Sequence, residues 1–200
     1  MPAKAWPKDS LSQHQGRRQR QIALILLLVG WSYHVFLVLF PQSSPSILCP
    51  HPSQLDPKYF TWSPYTASYI LLILIAAPIR LLAFKQLGQN FTFTLAKPKG
   101  LVKTGMYAYV RHPSYPTLLL CQIASAALIM RWKGVTGCWL PAWLARWSFL
   151  DVGGLIFFGV GCLYGLLVRV EEEEDMLRSE FGEDYEAYAK RTKKFLPWII

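Results

Sequence analysis

Four apolar runs of near-bilayer length constrain this chain more than any other feature. Ile22 to Phe40 is nineteen residues and nearly all apolar, and a helix needs about 20 such residues to cross the hydrocarbon. Tyr65 to Phe84 and Phe149 to Val168 are runs of the same kind, whereas Tyr115 to Met130 has sixteen residues and is read either as a crossing or as a re-entrant segment. Within hydrocarbon each backbone N–H and C=O must find its partner inside the segment, so the runs are expected to be helices. The expected fold is an all-α, polytopic integral membrane bundle of about four spans, third included. It forms a single domain over residues 1–200. A cleaved signal peptide is the alternative for the first run. Its length, and the lack of a small-residue cleavage site after it, favour a retained span.

The segments between the runs are of a different character. Residues 1–21 are polar and basic, with Lys4, Lys8, Arg17, Arg18 and Arg20, and residues 41–64 carry Pro41, Pro45, Pro50, Pro52, Pro57 and Pro64. That proline density predicts a turn-rich loop without a long element. The second run contains Pro78, expected to kink it, and Arg80, which either points inward or snorkels to the interface. Residues 85–113 hold Gly88, Gly100, Gly105, five positive charges and no negative ones. Residues 131–148 are rich in tryptophan, as suits an interfacial turn. Beyond Val168 the chain becomes polar at once: Arg169, the glutamates Glu171 to Glu174, then a helical tail broken near Gly182 whose Tyr185, Tyr188 and Phe195 form an aromatic face.

A net charge of +9 admits nucleic acid, an anionic membrane surface or an acidic ligand as partner. The distribution of charge decides. With the N-terminus in the cytosol, sixteen basic residues fall on that side and only Lys58, Arg131, Lys133 and Arg146 fall outside, as the positive-inside rule requires. Topology thus accounts for the basic character, and nucleic acid is not expected as a partner. Both termini, the loop 85–113 and the tail 169–200 are expected in the cytosol. Cys49, Cys121, Cys138 and Cys162 form no CxxC pair and two of them sit in apolar runs, so neither a metal site nor a disulfide framework is expected.

Chemistry converges on Arg111-His112-Pro113-Ser114-Tyr115, where the glycine-containing loop turns into the third apolar run. Pro113 biases His112 toward extended backbone. Ser114 is read as an N-cap and Pro116 as a tolerated first-turn proline. The free amides of such a helix start can receive an anionic group; the plainer reading is a capped helix whose Arg111 snorkels. Arg169 and Glu173 form a second constellation, four residues apart and on one helix face. They form either a solvated ion pair or a device in which Arg169 grips a carboxylate bidentately.

The stretches GLVKTGMYAYVRHPSY (Gly100 to Tyr115) and RVEEEEDMLRSEFGEDYEAYAKRTKKFLPWI (Arg169 to Ile199) resemble the two signature regions of the isoprenylcysteine carboxyl methyltransferase family, and IRLLAFKQLGQNFTF (Ile79 to Phe93) is similar to the segment between its spans. The resemblance implies an enzyme of the endoplasmic reticulum membrane. It would methylate the C-terminal isoprenylcysteine carboxylate of prenylated, CaaX-processed proteins, using S-adenosylmethionine bound from the cytosol. By that carry-over Gly100, Leu101, Val102, Tyr107, His112, Pro113, Ser114, Tyr115 and Glu173 surround the cofactor, and Arg169 holds the substrate carboxylate as the catalytic residue. The chain departs from the family at Lys99, where histidine is frequent, and at Thr117, where glycine is common. Two other functions compete: a phospholipid N-methyltransferase of the phosphatidylethanolamine type, and an inactive membrane scaffold of the same fold. An amine acceptor must lose a proton, so the first of these would require a well-placed base.

Overall fold

The computed structural model describes residues 17–40, 47–91 and 98–197. The N-terminal residues 1–16, Pro41 and Pro45 of the proline-rich loop, residues 92–97 and the last three residues of the tail lie outside the described residues. The described chain is helical, and an isolated bridge between Val110 and Lys193 is its extended pairing. Five helices carry the architecture: α1 (Arg17–Leu39), α2 (Pro64–Leu87), α3 (Ser114–Ile129), α4 (Ser148–Phe181) and α5 (Glu183–Arg191).

Each apolar run is helical over most or all of its length. Pro64 opens α2 at a first-turn position where its missing N–H costs nothing, and α2 continues through Pro78. Among the described residues two helices are long and apolar enough to cross a membrane, within Pro57–Asn90 and Phe149–Phe181, with mean hydropathy 2.2 and 1.9. The apolar helices Leu24–Leu39 and Ser114–Ile129 are shorter. Only 11% and 6% of the two long apolar windows is buried, unlike the core helix of a soluble protein. Leu71, Leu74 and Ile75 of α2, and Ile156, Phe157 and Val160 of α4, are exposed. An outward apolar surface of this extent is matched to lipid.

The chain divides into two compact units. The first comprises Arg17–Ile75 and Leu120–Gly161. Its small core gathers Leu37, Cys49, Val135 and Cys138, with Tyr33, Phe36, Leu55 and Phe60 packed against them. Backbone bonds stitch the proline-rich loop to the tryptophan-rich one: His51 N–H donates to Cys138 O at 3.2 Å and Asp56 N–H to Lys133 O at 2.9 Å. Asp151 collects Arg131 Nη2 at 2.8 Å and the Trp132 amide at 2.9 Å. Trp139, Trp143 and Trp147 are exposed, in keeping with an interfacial segment.

Cys49 and Cys138 are joined by a disulfide, with Cα atoms 4.6 Å apart and a sequence separation of 89. This overturns the expectation drawn from cysteine spacing. The 3-10 turn Val135–Cys138 lies against residues of α1 and of the proline-rich loop, and that packing brings together two cysteines that no local pattern links. Cys121 and Cys162 are not joined in a disulfide.

The second unit comprises Ala76–Leu119 and the chain from Cys162 onward. Here α4 continues well past the apolar run to Phe181, so the glutamates from Glu171 to Glu174 extend the same helix. Gly182 ends it with φ of 49°, a left-handed conformation that a side chain resists and glycine adopts readily. The chain then re-enters helix as α5, burying Tyr185 and Tyr188. The aromatic face read in the tail is thus a packing face.

Candidate active site at the loop-to-helix hinge

Within this second unit the hinge is built from its own loop and from the tail. The 3-10 turn Gly105–Ala108 begins at Gly105 with φ of 63°, and a Cβ there would lie 2.6 Å from Gln86 Oε1. That conformation favours glycine. The Gln86 oxygen accepts instead from the Met106 amide at 2.8 Å. The chain then runs alongside the tail: Lys193 N–H donates to Tyr109 O at 3.0 Å, Arg111 N–H to Lys193 O at 2.8 Å and His112 N–H to Lys194 O at 3.0 Å. The extended pairing accords with the bias that Pro113 imposes on the residue before it. Helix α3 starts at Ser114, so Ser114 is the first helical residue and not the cap that its type favours. Its carbonyl accepts from Arg80 Nη1 at 2.7 Å. Arg80, whose guanidinium lies 4.5 Å from the Phe84 ring centroid, therefore takes the inward of its two expected orientations.

His112 is 3% exposed and sits between two carboxylates. Its Nε2 lies 3.2 Å from Glu174 Oε1, and its Nδ1 lies 3.9 Å from Glu173 Oε2. Tyr115 packs edge-on to the imidazole, with centroids 5.5 Å apart, and its hydroxyl donates to Glu173 Oε2 at 2.7 Å. The Arg169 guanidinium also lies near Tyr115. Tyr107 is buried, its hydroxyl 3.5 Å from Ala83 O, and its carbonyl accepts from the Tyr188 hydroxyl at 2.7 Å. Burial and the nearby Glu173 charge push the Tyr107 phenol up, so it stays a neutral hydroxyl. Burial likewise raises Tyr188, to about 12.

Of the residues singled out from sequence, the fold joins Tyr107, His112, Pro113, Ser114, Tyr115, Arg169 and Glu173 in this one unit. Gly100, Leu101 and Val102 lie partly buried on the loop leading to Gly105; among the described residues no hydrogen bond ties them to His112 or Tyr115. A Cβ on Gly100 would meet nothing within 4 Å. At the two departures from the family pattern, Lys99 Nζ donates to Gln89 Oε1 at 2.9 Å, and the buried Thr117 hydroxyl donates to Ser114 O at 2.9 Å.

Sequence reading singled out Glu173 and passed over its neighbour. Glu174 is 3% exposed and gathers His112 Nε2, Arg111 Nε at 3.5 Å, Lys194 Nζ at 3.3 Å and Arg178 Nη2 at 3.5 Å. Burial by itself would raise its carboxyl. The hydrogen bond from His112 and the charges of Arg111 and Lys194 outweigh burial and hold it down at about 2. A run of four identical residues gives no sign of which one turns inward, beyond the helical period once α4 is known to continue through it.

Comparison with known proteins accords with the motifs. The family model described as "Isoprenylcysteine carboxyl methyltransferase (ICMT) family" matches residues 69–152, which include the hinge and stop short of Arg169. The protein-S-isoprenylcysteine O-methyltransferase of Schizosaccharomyces pombe is 28% identical over 144 residues, covering 70% of this chain and 52% of that protein. The Homo sapiens protein of the same name is 29% identical over 146 residues, covering 71% of this chain and 44% of its own length. The chain thus spans about half the length of the curated relatives it matches. A solved structure of the eukaryotic intramembrane Ras methyltransferase, isoprenylcysteine carboxyl methyltransferase, superposes with a TM-score of 0.54 at 19% identity, over 92% of this chain and 53% of that one. This shows a shared fold. Over residues 69–152 the chain is thus similar to the isoprenylcysteine carboxyl methyltransferase family.

Proposed function

We propose that the chain transfers a methyl group from S-adenosylmethionine to the C-terminal isoprenylcysteine carboxylate of prenylated, CaaX-processed proteins, giving a methyl ester. The observation that carries this reading is the meeting of Arg169 and Glu173 with Tyr115 beside His112. Two stretches of sequence more than fifty residues apart thereby supply a guanidinium, a carboxylate and aromatic rings to one place.

The residues fit a donor that is cationic at its sulfonium and amino groups. Glu173, half-buried and only partly engaged by Tyr115, offers it a negative charge. Tyr107, Tyr115 and His112 offer ring faces and polar edges, and the open space over Gly100 leaves room for close backbone approach. When bound, S-adenosylmethionine supplies an activated methyl group. Arg169 orients the acceptor carboxylate, for which a guanidinium fork is the matched geometry. A carboxylate is ionised at neutral pH and needs no general base, so the protein's contribution is alignment and exclusion of water, worth roughly 7 to 11 kcal/mol when reactants are well oriented. Arg169 must hold the carboxylate without stabilising the ground state more than the transition state. His112 is a donor contact and not an acid or base. Its Nε2 is committed to Glu174.

Membranes containing the protein, incubated with labelled S-adenosylmethionine and either a farnesylcysteine analogue or phosphatidylethanolamine, test the reading. Label is expected in a base-labile ester of the farnesylcysteine analogue; transfer to the phospholipid instead would reverse the assignment. In the purified protein, Tyr107→Ala and His112→Ala are each expected to weaken S-adenosylmethionine binding by about tenfold, in line with loss of one or two buried contacts. Calorimetry returning wild-type affinity for both would remove the hinge from the donor site.

We infer further that the whole chain is one polytopic domain in the endoplasmic reticulum membrane, with four spans and with the hinge and tail in the cytosol. The split of basic residues supports this orientation. So does the Cys49–Cys138 disulfide. Both cysteines fall in loops that the same split assigns to the non-cytosolic side, and disulfides persist in oxidising compartments. A glycosylation acceptor inserted before α2 is expected to be modified and one appended after Ile200 is not. The reverse pattern would invert the topology.

A further inference from the structure

We propose that Glu174 is a positioning residue of the methyl-transfer site, acting by fixing which nitrogen of His112 faces the donor. The proposal rests on the reading of His112 as a donor contact and adds to it a residue that touches neither donor nor acceptor. Glu174 Oε1 lies 3.2 Å from His112 Nε2, and both groups are buried, with side chains 4% and 2% exposed. An ionised carboxylate only accepts hydrogen bonds. Nε2 therefore carries a hydrogen, and in the neutral imidazole Nδ1 is the acceptor on the side of Tyr115 and Glu173, where Glu173 Oε2 at 3.9 Å is too distant for a direct bond.

Three cations keep Glu174 ionised and in place. Arg111 comes from the hinge, Arg178 from the next turn of α4, and Lys194 from the tail segment that pairs with Arg111 and His112. Carboxylates that orient imidazoles in this manner are a recurrent device, because a ring with two distinct nitrogens binds a ligand well only in the right tautomer. The arrangement divides labour within the glutamate run: Glu173 takes the Tyr115 hydroxyl and faces the donor site, while Glu174, next in sequence, faces the hinge and tail.

The test uses the full-length protein in detergent, with ¹⁵N-histidine labelling to read the His112 tautomer and calorimetry to read S-adenosylmethionine affinity. Glu174→Met removes the acceptor at nearly constant volume. It is expected to move His112 out of the Nε2–H form and to weaken donor binding about tenfold. Glu174→Gln keeps an acceptor oxygen without the charge and is expected to recover most of the Nε2–H form and of the affinity. On a His112→Ala background Glu174→Met should cost less than twofold more, because its effect passes through the imidazole. Lys194→Met strips one cation from Glu174, leaves the bond to His112, and should hold affinity within about twofold. Where Glu174→Met does not accumulate, Glu174→Asp withdraws the acceptor by one methylene and is expected to shift the same resonances. An unchanged His112 tautomer in Glu174→Met or Glu174→Asp, or losses that simply add on the His112→Ala background, would overturn the proposal. Unchanged affinity in His112→Ala alone would instead sink the donor-contact reading, while the resonances still decide whether Glu174 sets the tautomer.

Discussion

Arg169→Lys is expected to lower turnover of a farnesylcysteine analogue by about 10- to 100-fold, while S-adenosylmethionine affinity stays within about twofold. The substitution keeps the charge but loses the planar fork, and a hydrogen bond to a charged group is worth about 1.5 to 3 kcal/mol. Arg169 stands at the point where α4 leaves its apolar run, next to Tyr115. Its partner in the test is Glu173→Gln. That variant removes the charge which accepts from Tyr115 at 2.7 Å and is expected to weaken donor binding first, with a smaller change in turnover at saturating donor. A solvated ion pair between Arg169 and Glu173 would give a different result, since such pairs contribute only a few tenths of a kcal/mol and either variant would keep most of its activity. Near-normal methylation by Arg169→Lys, in membranes with equal protein levels, would exclude the bidentate role and turn attention to an amine acceptor.

Cys49→Ser is expected to be among the most destabilising single changes in the first unit. Closing a loop of 89 residues restricts the unfolded chain by about 4 to 5 kcal/mol on the chain-entropy account. Helices already held in a bilayer restrict the chain beforehand, so this figure is a ceiling. The cysteines also belong to the small core with Leu37 and Val135, where a serine hydroxyl would be buried without an evident partner. Thermal unfolding in detergent should fall by several degrees for Cys49→Ser, for Cys138→Ser, and for the wild type under reductant, with no further loss in the double variant. Four alkylatable thiols in the unreduced, denatured protein would show that the bridge does not form.

The sequence by itself determined the helical class, the placement of the apolar runs and the membership of the hinge. These depend on local chemistry: apolar runs admit only helices in hydrocarbon, Pro113 restricts the residue before it, and glycine is needed where the chain turns left-handed, as at Gly105 and Gly182. Single residues from different parts of the chain could not be paired in that way. Cysteine spacing argued against a disulfide, yet Cys49 and Cys138 pair because the turn Val135–Cys138 packs into the core they share with α1. Arg169 and Glu173 were legible as one helix face, but their meeting with Tyr115 required α3 and α4 to be placed together. Ser114, a good cap by type, became the first helical residue because the hinge before it is held by the tail at Lys193 and Lys194. Glu174 was hidden among identical neighbours, since its partners Arg111, His112 and Lys194 lie far from it in sequence. Which glutamate is buried is decided by the charges packed around it, and only the tertiary structure brings those charges together.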